Sequence, residues 1–307
     1  MIRYNGFQWL FFFYMYCFFG WCFESAFVSL KSKKWVNRGF MRGPFLPIYG
    51  SGAIMMLVVS MPFRDNVFLT YIAGVIGATA LEYVTGVTME ALFKVRYWDY
   101  SNKRFNFQGH ICLRSSVAWG FFTILMTRVI HAPIEQMVMS IPGRILVLVT
   151  VILTVYIVAD FTLSFKTALD LRDILIKIER AKEELERMQR RLDVIVAFNN
   201  EEKEFRKQER EERRELWMSE LTAGLEQRFA AIKETLLKMP SAYGESVREE
   251  IAELRGRFSE HQERQKNESR LLDFYKRDMI RNNPTMESKK YRNAFEELKK
   301  MANAKHK

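Results

Sequence analysis

The chain has 307 residues, with 47 Lys and Arg against 36 Asp and Glu, which gives a net charge of +11 at pH 7. Such a surplus indicates a nucleic-acid partner in a soluble protein, but here it falls largely in short loops between apolar stretches, where membrane topology explains it. Residues 1–164 carry 14 basic and 7 acidic side chains, whereas residues 165–307 carry 33 and 29. Composition therefore separates a membrane half from a charged tail and argues against nucleic acid as a partner.

Five apolar stretches of the first half predict transmembrane helices. Residues 7–30 carry one charge and, at ~1.5 Å per residue, are long enough to cross a ~30 Å hydrocarbon layer. The other predicted spans are residues 47–62, 67–93, 115–130 and 145–165. The second is short for a crossing unless the loop at 31–46 enters the membrane, which only protein or water contacts permit. Pro133 and Pro142 mark a predicted loop between the last two spans.

Basic residues are distributed unevenly between the loops. Ten Lys and Arg lie in the loops after the first and third predicted spans, against four on the opposite side. The positive-inside rule therefore predicts a multi-pass protein of the cell membrane with its N-terminus outside and its C-terminus in the cytoplasm. An odd number of spans agrees with this topology.

Small and acidic residues recur at every fourth position of the third span: Gly74, Ala78, Glu82, Gly86 and Glu90. Residues four apart share one ridge of a helix, and small residues on it allow a second helix to approach closely. The first span repeats the step at Gly20 and Glu24. Because lipid neither pairs nor hydrates a carboxylate, we expect these acids to face protein or a water-filled cavity.

The predicted topology brings acids, arginines and a histidine to one leaflet. This candidate polar cavity comprises Glu24, Arg38, Arg42, Glu82, Glu90, Arg96, Asp99 and His110. Such a set fits a solute, a proton, a cation or a lipid head group, because arginine binds phosphate and carboxylate while carboxylates bind cations. We expect Glu82 to lie near Glu24 and to pair with Arg38 or Arg42. The alternative is a packing ridge whose acids only pair with nearby arginines.

The tail is predicted to be helical. Apolar residues alternate steps of three and four, the spacing of a coiled-coil seam, at Leu171, Ile174, Ile178, Ala181, Leu185, Met188, Leu192 and Ile195. We therefore assign residues 165–238 to a cytoplasmic coiled-coil helix and residues 239–307 to a helical C-terminal tail. A coiled-coil seam favours a homo-oligomer or a coiled-coil partner.

Several motifs carry a family resemblance: NRGFMRGPFLPIYGSG at 37–52, LEYVTGVTMEALF at 81–93, RYWDYS at 96–101 and FQGHICLRSSVAWG at 107–120. Together with GWCFES in the first span, they resemble the bacterial membrane family of ABC-transporter type IV permeases over residues 7–163. The resemblance implies an integral membrane protein of a low-GC Gram-positive type with a permease role. The long charged tail departs from the shorter family pattern.

The predicted fold is all-α, with five membrane helices followed by a long cytoplasmic helical tail. The favoured function is that of an ABC-transporter-type permease without its own ATPase, in contact with membrane lipids and a separate ATPase subunit. The sequence contains no ATPase, metal-site or nucleophile motif, so an enzyme is disfavoured and no cofactor is predicted.

Two alternatives remain open. The first is an intramembrane enzyme or binding protein for a lipid head group, with Glu82 or Glu90 as acid or base and Arg38 and Arg42 on phosphate. The second is a membrane scaffold that recruits partners through its coiled coil.

Overall fold

The computed structural model describes residues 4–197, 222–227, 229, 249–260, 262–263 and 274–303. The helices are α1 Gly6–Ser32, α2 Pro47–Ser60, α3 Val67–Phe93, α4 Leu113–Leu125, α5 His131–Ser140, α6 Gly143–Ala197, α7 Phe274–Asn282 and α8 Arg292–Asn303. A 3-10 turn at Met61–Phe63 follows α2, and a π-helical segment at Met126–Ile130 joins α4 to α5. The strands β1 Asn106–Phe107 and β2 Ile111–Cys112 form an antiparallel hairpin. The described residues are otherwise helices and loops, in agreement with the predicted all-α class.

Four helical stretches are long and apolar enough to cross a membrane: Gly6–Ser32, Val67–Phe93, Leu113–Ser140 and Gly143–Asp193. The predicted second span corresponds to a shorter apolar helix, Pro47–Phe63. Among the described residues, four helices rather than the expected five therefore have the length of a crossing.

The predicted loop at 131–144 is helical over most of its length. The helix continues through α5 to Ser140, and only Ile141 and Pro142 separate it from α6. The N–H of His131 bonds to the carbonyl of Met126, five residues back, so the turn before Pro133 is wider than an α turn. A bulge of this kind lets a helix accommodate a proline that can neither donate its own hydrogen bond nor fit a regular turn.

The loop between α1 and α2 turns back along α1. Its backbone N–H groups bond to successive turns of that helix: Val36 to Ser29 Oγ, Arg38 to Ser25 Oγ and Leu46 to the carbonyl of Cys17. From residue 29 to residue 17 a helix spans about 18 Å, so residues 36–46 run back on the order of that distance. Because the loop itself occupies this depth, α2 begins partway along the bundle, which explains why α2 is short.

Four of the five predicted ridge positions of α3 are buried, whereas Glu90 at its C-terminal end is half-buried. The buried positions of α3 are Thr70, Gly74, Ala78, Glu82, Gly86 and Phe93. A Cβ at Gly74 would overlap the side chain of Thr123 in α4, and one at Gly120 in α4 would overlap Tyr71 in α3. The close packing of α3 against α4 therefore depends on glycine on both helices.

The chain divides into two compact units. The membrane unit contains Met1–Leu171 together with Asp278–Lys290, a segment that we call the strap, and the tail unit contains Arg172–Arg277 and Tyr291–Lys307. The strap thus packs with the membrane half, although the sequence places it in the C-terminal tail.

In the tail unit, the apolar seam of α6 is covered by helices of the same chain. Its buried cluster comprises Leu185, Met188, Leu192, Leu225, Ile251, Leu254 and Phe258. The side chain of Ile195 and residues 198–221 and 230–248 of the predicted helical tail lie outside the described residues. Pairing of the seam with a second chain stays a prediction.

Candidate functional site

Glu82 is a buried carboxylate in α3 that three neutral groups hold. The hydroxyl of Tyr100 donates to its Oε1 at 3.1 Å, and the hydroxyl of Ser115 and the indole N–H of Trp119 donate to its Oε2 at 3.3 Å and 2.9 Å. Glu82 is 7% exposed. In the part of the chain that the structure describes, no Lys, Arg or His nitrogen lies within 4.0 Å of this carboxylate. The donors come from the loop after α3 and from the first two turns of α4.

The predicted ion pair between Glu82 and Arg38 or Arg42 is wrong. Arg38 lies beside Glu24 instead, with Nε 3.6 Å from Oε1, and Nη2 of Arg42 donates to Thr167 Oγ1 at 2.7 Å. Glu82 does not require either guanidinium, because three hydrogen bonds replace the water that its carboxylate loses on burial.

Glu24 is paired by a residue that the sequence did not single out. The hydroxyl of Tyr49 in α2 donates to Glu24 Oε2 at 2.8 Å. A Cβ at Gly20, one turn earlier in α1, would overlap the Tyr49 ring. Glycine is therefore required at this position for the tyrosine to reach the acid one turn further along.

Glu90, Arg96, Asp99 and His110 form a second cluster at the C-terminal end of α3. Arg96 donates from Nε to Glu90 Oε2 at 2.8 Å and from Nη1 to Asp99 Oδ1 at 3.3 Å. His110 Nε2 lies 3.1 Å from the same Glu90 oxygen. A Cβ at Gly86 would lie 3.0 Å from His110 Nδ1, so here too a glycine admits the ring that contacts the acid one turn later.

Burial and the positive charge of Arg96 lower the pKa of His110 below its usual value of 6.5. At pH 7 the imidazole is consequently neutral, and its Nε2 can approach the Glu90 carboxylate only as an N–H donor. The charge of Glu90 is therefore balanced by Arg96, whose Nη2 lies 2.7 Å from the same oxygen.

Asp99 is ionised well below neutral pH. Burial opposes its charge, but hydrogen bonds from Glu287 and Ser101 and the positive charge of Lys289 outweigh burial and lower the pKa of Asp99 to about 2.

Asp160 of α6 anchors the loop that runs back along α1. It accepts the backbone N–H of Arg42 at 3.3 Å and that of Gly43 at 2.8 Å. The sequence shows Asp160 only as a charge near the end of an apolar stretch, which was a usable signal because such charges rarely lack a function. Arg42 thus belongs to this anchor and is not brought next to Glu82.

A chain of hydrogen-bonded polar side chains, buried except for a half-buried Glu135, lies near the N-terminal end of α1 and was missed by sequence reasoning. Tyr4 donates its hydroxyl to Glu135 at 2.5 Å, so its oxygen accepts from His131 Nε2 at 3.0 Å. His131 Nδ1 then accepts from the hydroxyl of Tyr16 at 2.6 Å. These residues are up to 131 positions apart in sequence, and none lies in a recognisable motif.

Residues 11–165 match a family model described as Putative ABC-transporter type IV. The chain belongs to this family. The match extends from α1 into the first part of α6 and includes every predicted site residue, whereas the strap and the tail unit lie outside it. No curated protein and no solved structure matches the chain. Family membership and the four long apolar helices together make this a membrane protein of transporter type.

Proposed function

We propose that the chain is the permease subunit of a membrane transporter and that Glu82 forms part of its solute or ion path. The observation that carries this proposal is the carboxylate of Glu82, which is buried in α3 and, among the residues that the structure describes, is held by neutral donors only. An acid that serves only packing is normally neutralised by a basic partner, as Glu90 is by Arg96. The carboxylate of Glu82 is instead available to bind a proton, a metal cation or a solute amine.

The topology proposed for this permease has both basic loops in the cytoplasm. Its support is the strap, which bonds to Arg38 in the first loop and to Arg96 in the second, so these loops lie at one end of the bundle. With residues 36–46 running back along α1, the short helix α2 completes the return crossing in this proposal. The N-terminus is then outside and the C-terminus inside the cell membrane.

The energy source in this proposal is a separate ATPase subunit. The family description is that of an ABC-transporter component, and the sequence contains no Gly-rich phosphate-binding loop of the kind that binds ATP. The proposed complex therefore contains this chain, an ATP-hydrolysing partner and the surrounding lipid.

The test begins with the complex purified in mild detergent and reconstituted into vesicles. ATP hydrolysis, pH change inside the vesicles and uptake from a mixture of small solutes are measured with wild type and with Glu82→Gln. We expect the variant to insert and to retain its partner but to lose at least ten-fold of the flux, because the amide cannot carry the charge. Glu135→Gln is the matched control, since this carboxylate also accepts from a tyrosine but lies outside the Glu82 site.

Two results would overturn the proposal. Undiminished flux with Glu82→Gln would remove Glu82 from the path. Turnover of a lipid by the purified chain alone would establish the enzymatic alternative in place of a permease.

A further inference from the structure

The strap connects distant parts of the sequence. Arg38 and Asn283 are 245 residues apart, yet Arg38 Nη1 donates to Asn283 Oδ1 at 2.9 Å. Arg38 Nη2 donates to Thr285 Oγ1 at 2.7 Å, and Nη1 also lies 3.4 Å from the carbonyl oxygen of Asn282. Both outer nitrogens of the guanidinium are therefore occupied by oxygen atoms of the strap.

These oxygen atoms are all neutral, although a guanidinium prefers an anion. The nearby carboxylate of Glu24 is 3.6 Å from Arg38 Nε, which is too far for a hydrogen bond. A carboxylate or phosphate would present two charged oxygens to the same fork, in hydrogen bonds about twice as strong as those to neutral acceptors. The neutral oxygens of the strap thus occupy the position that an oxyanion would take, and they form weaker hydrogen bonds with Arg38 than an oxyanion would.

The same segment also covers the second motif loop. The backbone groups of Glu287 and Arg96 exchange two hydrogen bonds, at 2.6 Å and 2.9 Å. The hydroxyl of Thr285 donates to the carbonyl of Tyr97 at 2.9 Å, and that of Ser288 donates to the carbonyl of Lys94 at 2.6 Å. Loss of the strap would therefore free the fork of Arg38 and the backbone of residues 94–97 together.

We propose that Arg38 is a binding site for an oxyanion, a carboxylate or a phosphate, and that the strap occupies this site as an internal competitor. Anion binding at Arg38 displaces Asn283 and Thr285 and releases the strap from both loops. Because the strap is continuous at both ends with the tail unit, its release couples the anion site to that unit. This inference does not depend on the role proposed for Glu82.

The experiment follows amide hydrogen exchange of the full chain in a peptide spanning residues 284–288, which includes the Glu287 N–H that Arg96 accepts. One arm adds inorganic phosphate to protein in detergent, at constant ionic strength. A second arm compares nanodiscs of phosphatidylglycerol with nanodiscs of phosphatidylcholine. We expect at least one anionic arm to accelerate exchange ten-fold or more, and the arm that responds distinguishes a free anion from a lipid head group.

Two variants separate a specific effect from general electrostatics. In Arg38→Gln the anion should no longer change the exchange rate, because the fork is gone. In Arg281→Gln, which removes an equal charge from an exposed position of the strap, the response should match wild type.

Ser288→Ala decides whether the anion and the strap compete. The hydroxyl of Ser288 donates to the carbonyl of Lys94 in the second loop, so its loss weakens the strap while the Arg38 side chain stays intact. Under competition, the anion concentration for half-maximal response should fall about five-fold, as expected for one lost hydrogen bond. An unchanged concentration, or exchange that neither anion source accelerates, would overturn the proposal.

Discussion

At the residue scale, the small-then-acid step of the sequence has a definite structural meaning. In α1 the small residue Gly20 admits the ring of Tyr49, and in α3 Gly86 admits the ring of His110. Each ring then contacts the acid one turn further along its helix. The small residue provides space for a ring, and the acid four residues later provides its polar contact. Both lie on the same face, because residues i and i+4 lie one above the other on a helix.

Gly86→Ala should destabilise the protein by about 1–3 kcal/mol, because overpacking a closely packed site forces its neighbours to move. The new Cβ would lie 3.0 Å from Nδ1 of the buried His110 ring. Thermal unfolding in detergent measures the effect. Gly52→Ala is the control: no atom lies within 4 Å of its Cβ, and alanine should be neutral or stabilising there. Equal unfolding midpoints for the two variants would contradict the close packing of position 86 against His110.

His110 should make stability dependent on pH in the mildly acidic range. Its pKa is lower in the folded than in the unfolded protein, where it is near 6.5, so the unfolded chain binds the proton more readily. The contribution is complete above pH 6.5 and is lost as the pH falls below that value. His110→Gln, which removes the titrating ring but keeps a polar side chain beside Glu90, should flatten the stability curve between about pH 7 and 5. Identical curves for the variant and wild type would refute this assignment.

Asp99 should act in a lower pH window. Its pKa is about 2 in the folded protein against 3.8 ordinarily, so its stabilising contribution is present above pH 3.8 and is lost as the pH falls toward 2. Asp99→Asn should remove this part of the acid transition. The free energy of unfolding of wild type and variant, measured with a denaturant across this pH range, tests the prediction. The same loss of stability below pH 4 in both proteins would contradict it.

At the scale of elements, the loop that runs back along α1 determines the length of α2. Its polar backbone is satisfied by α1 on one side and by Asp160 of α6 on the other. Irregular backbone at membrane depth is tolerated only with such partners. The loop is thus an integral layer of the bundle.

Asp160→Ala should cost about 2–4 kcal/mol, because two half-buried backbone N–H groups, of Arg42 and Gly43, lose their acceptor. Asp160→Asn keeps one oxygen and should cost less. The control is Asp173→Ala in the same helix, whose carboxylate is 54% exposed and pairs with Arg172, and which should change stability by no more than about 1 kcal/mol. Unfolding midpoints in detergent rank the three variants, and a ranking with Asp173→Ala as the most damaging would refute the anchor.

At the scale of the whole molecule, the strap joins a long tail to the family's own motifs. The family match ends at residue 165, whereas the strap begins at residue 278 and bonds to motif residues such as Arg38 and Arg96. These contacts therefore tie the extension, which distinguishes this chain from the shorter family pattern, to the two motif loops.

The proposed topology predicts that the loop around residue 102 is inaccessible from outside the cell. A cysteine at Asn102, an exposed position of that loop, should not react with an impermeant thiol reagent in intact cells but should react after permeabilisation. A cysteine at Asp65, exposed between α2 and α3, should react in both conditions. The reverse pattern would invert the orientation.

The sequence alone determined the helical fold, the long spans and the buried ridge of α3. Apolar stretches of more than 20 residues admit few structures other than membrane helices, and the every-fourth-residue pattern assigns the ridge to one face. The same reasoning brought Glu90, Arg96, Asp99 and His110 together, since they lie within one helix end and its following loop.

Only the tertiary structure decided which partner each acid has. Glu82 uses Tyr100, Ser115 and Trp119 in place of the predicted arginine, because neutral donors replace the hydration that a buried carboxylate loses, although they leave its charge uncompensated. The contact of the strap with Arg38 and the return of the loop along α1 were likewise not predictable from the sequence. Hydrogen bonds between residues of different elements, up to 245 positions apart, leave no periodicity in the sequence, so only the folded chain reveals them.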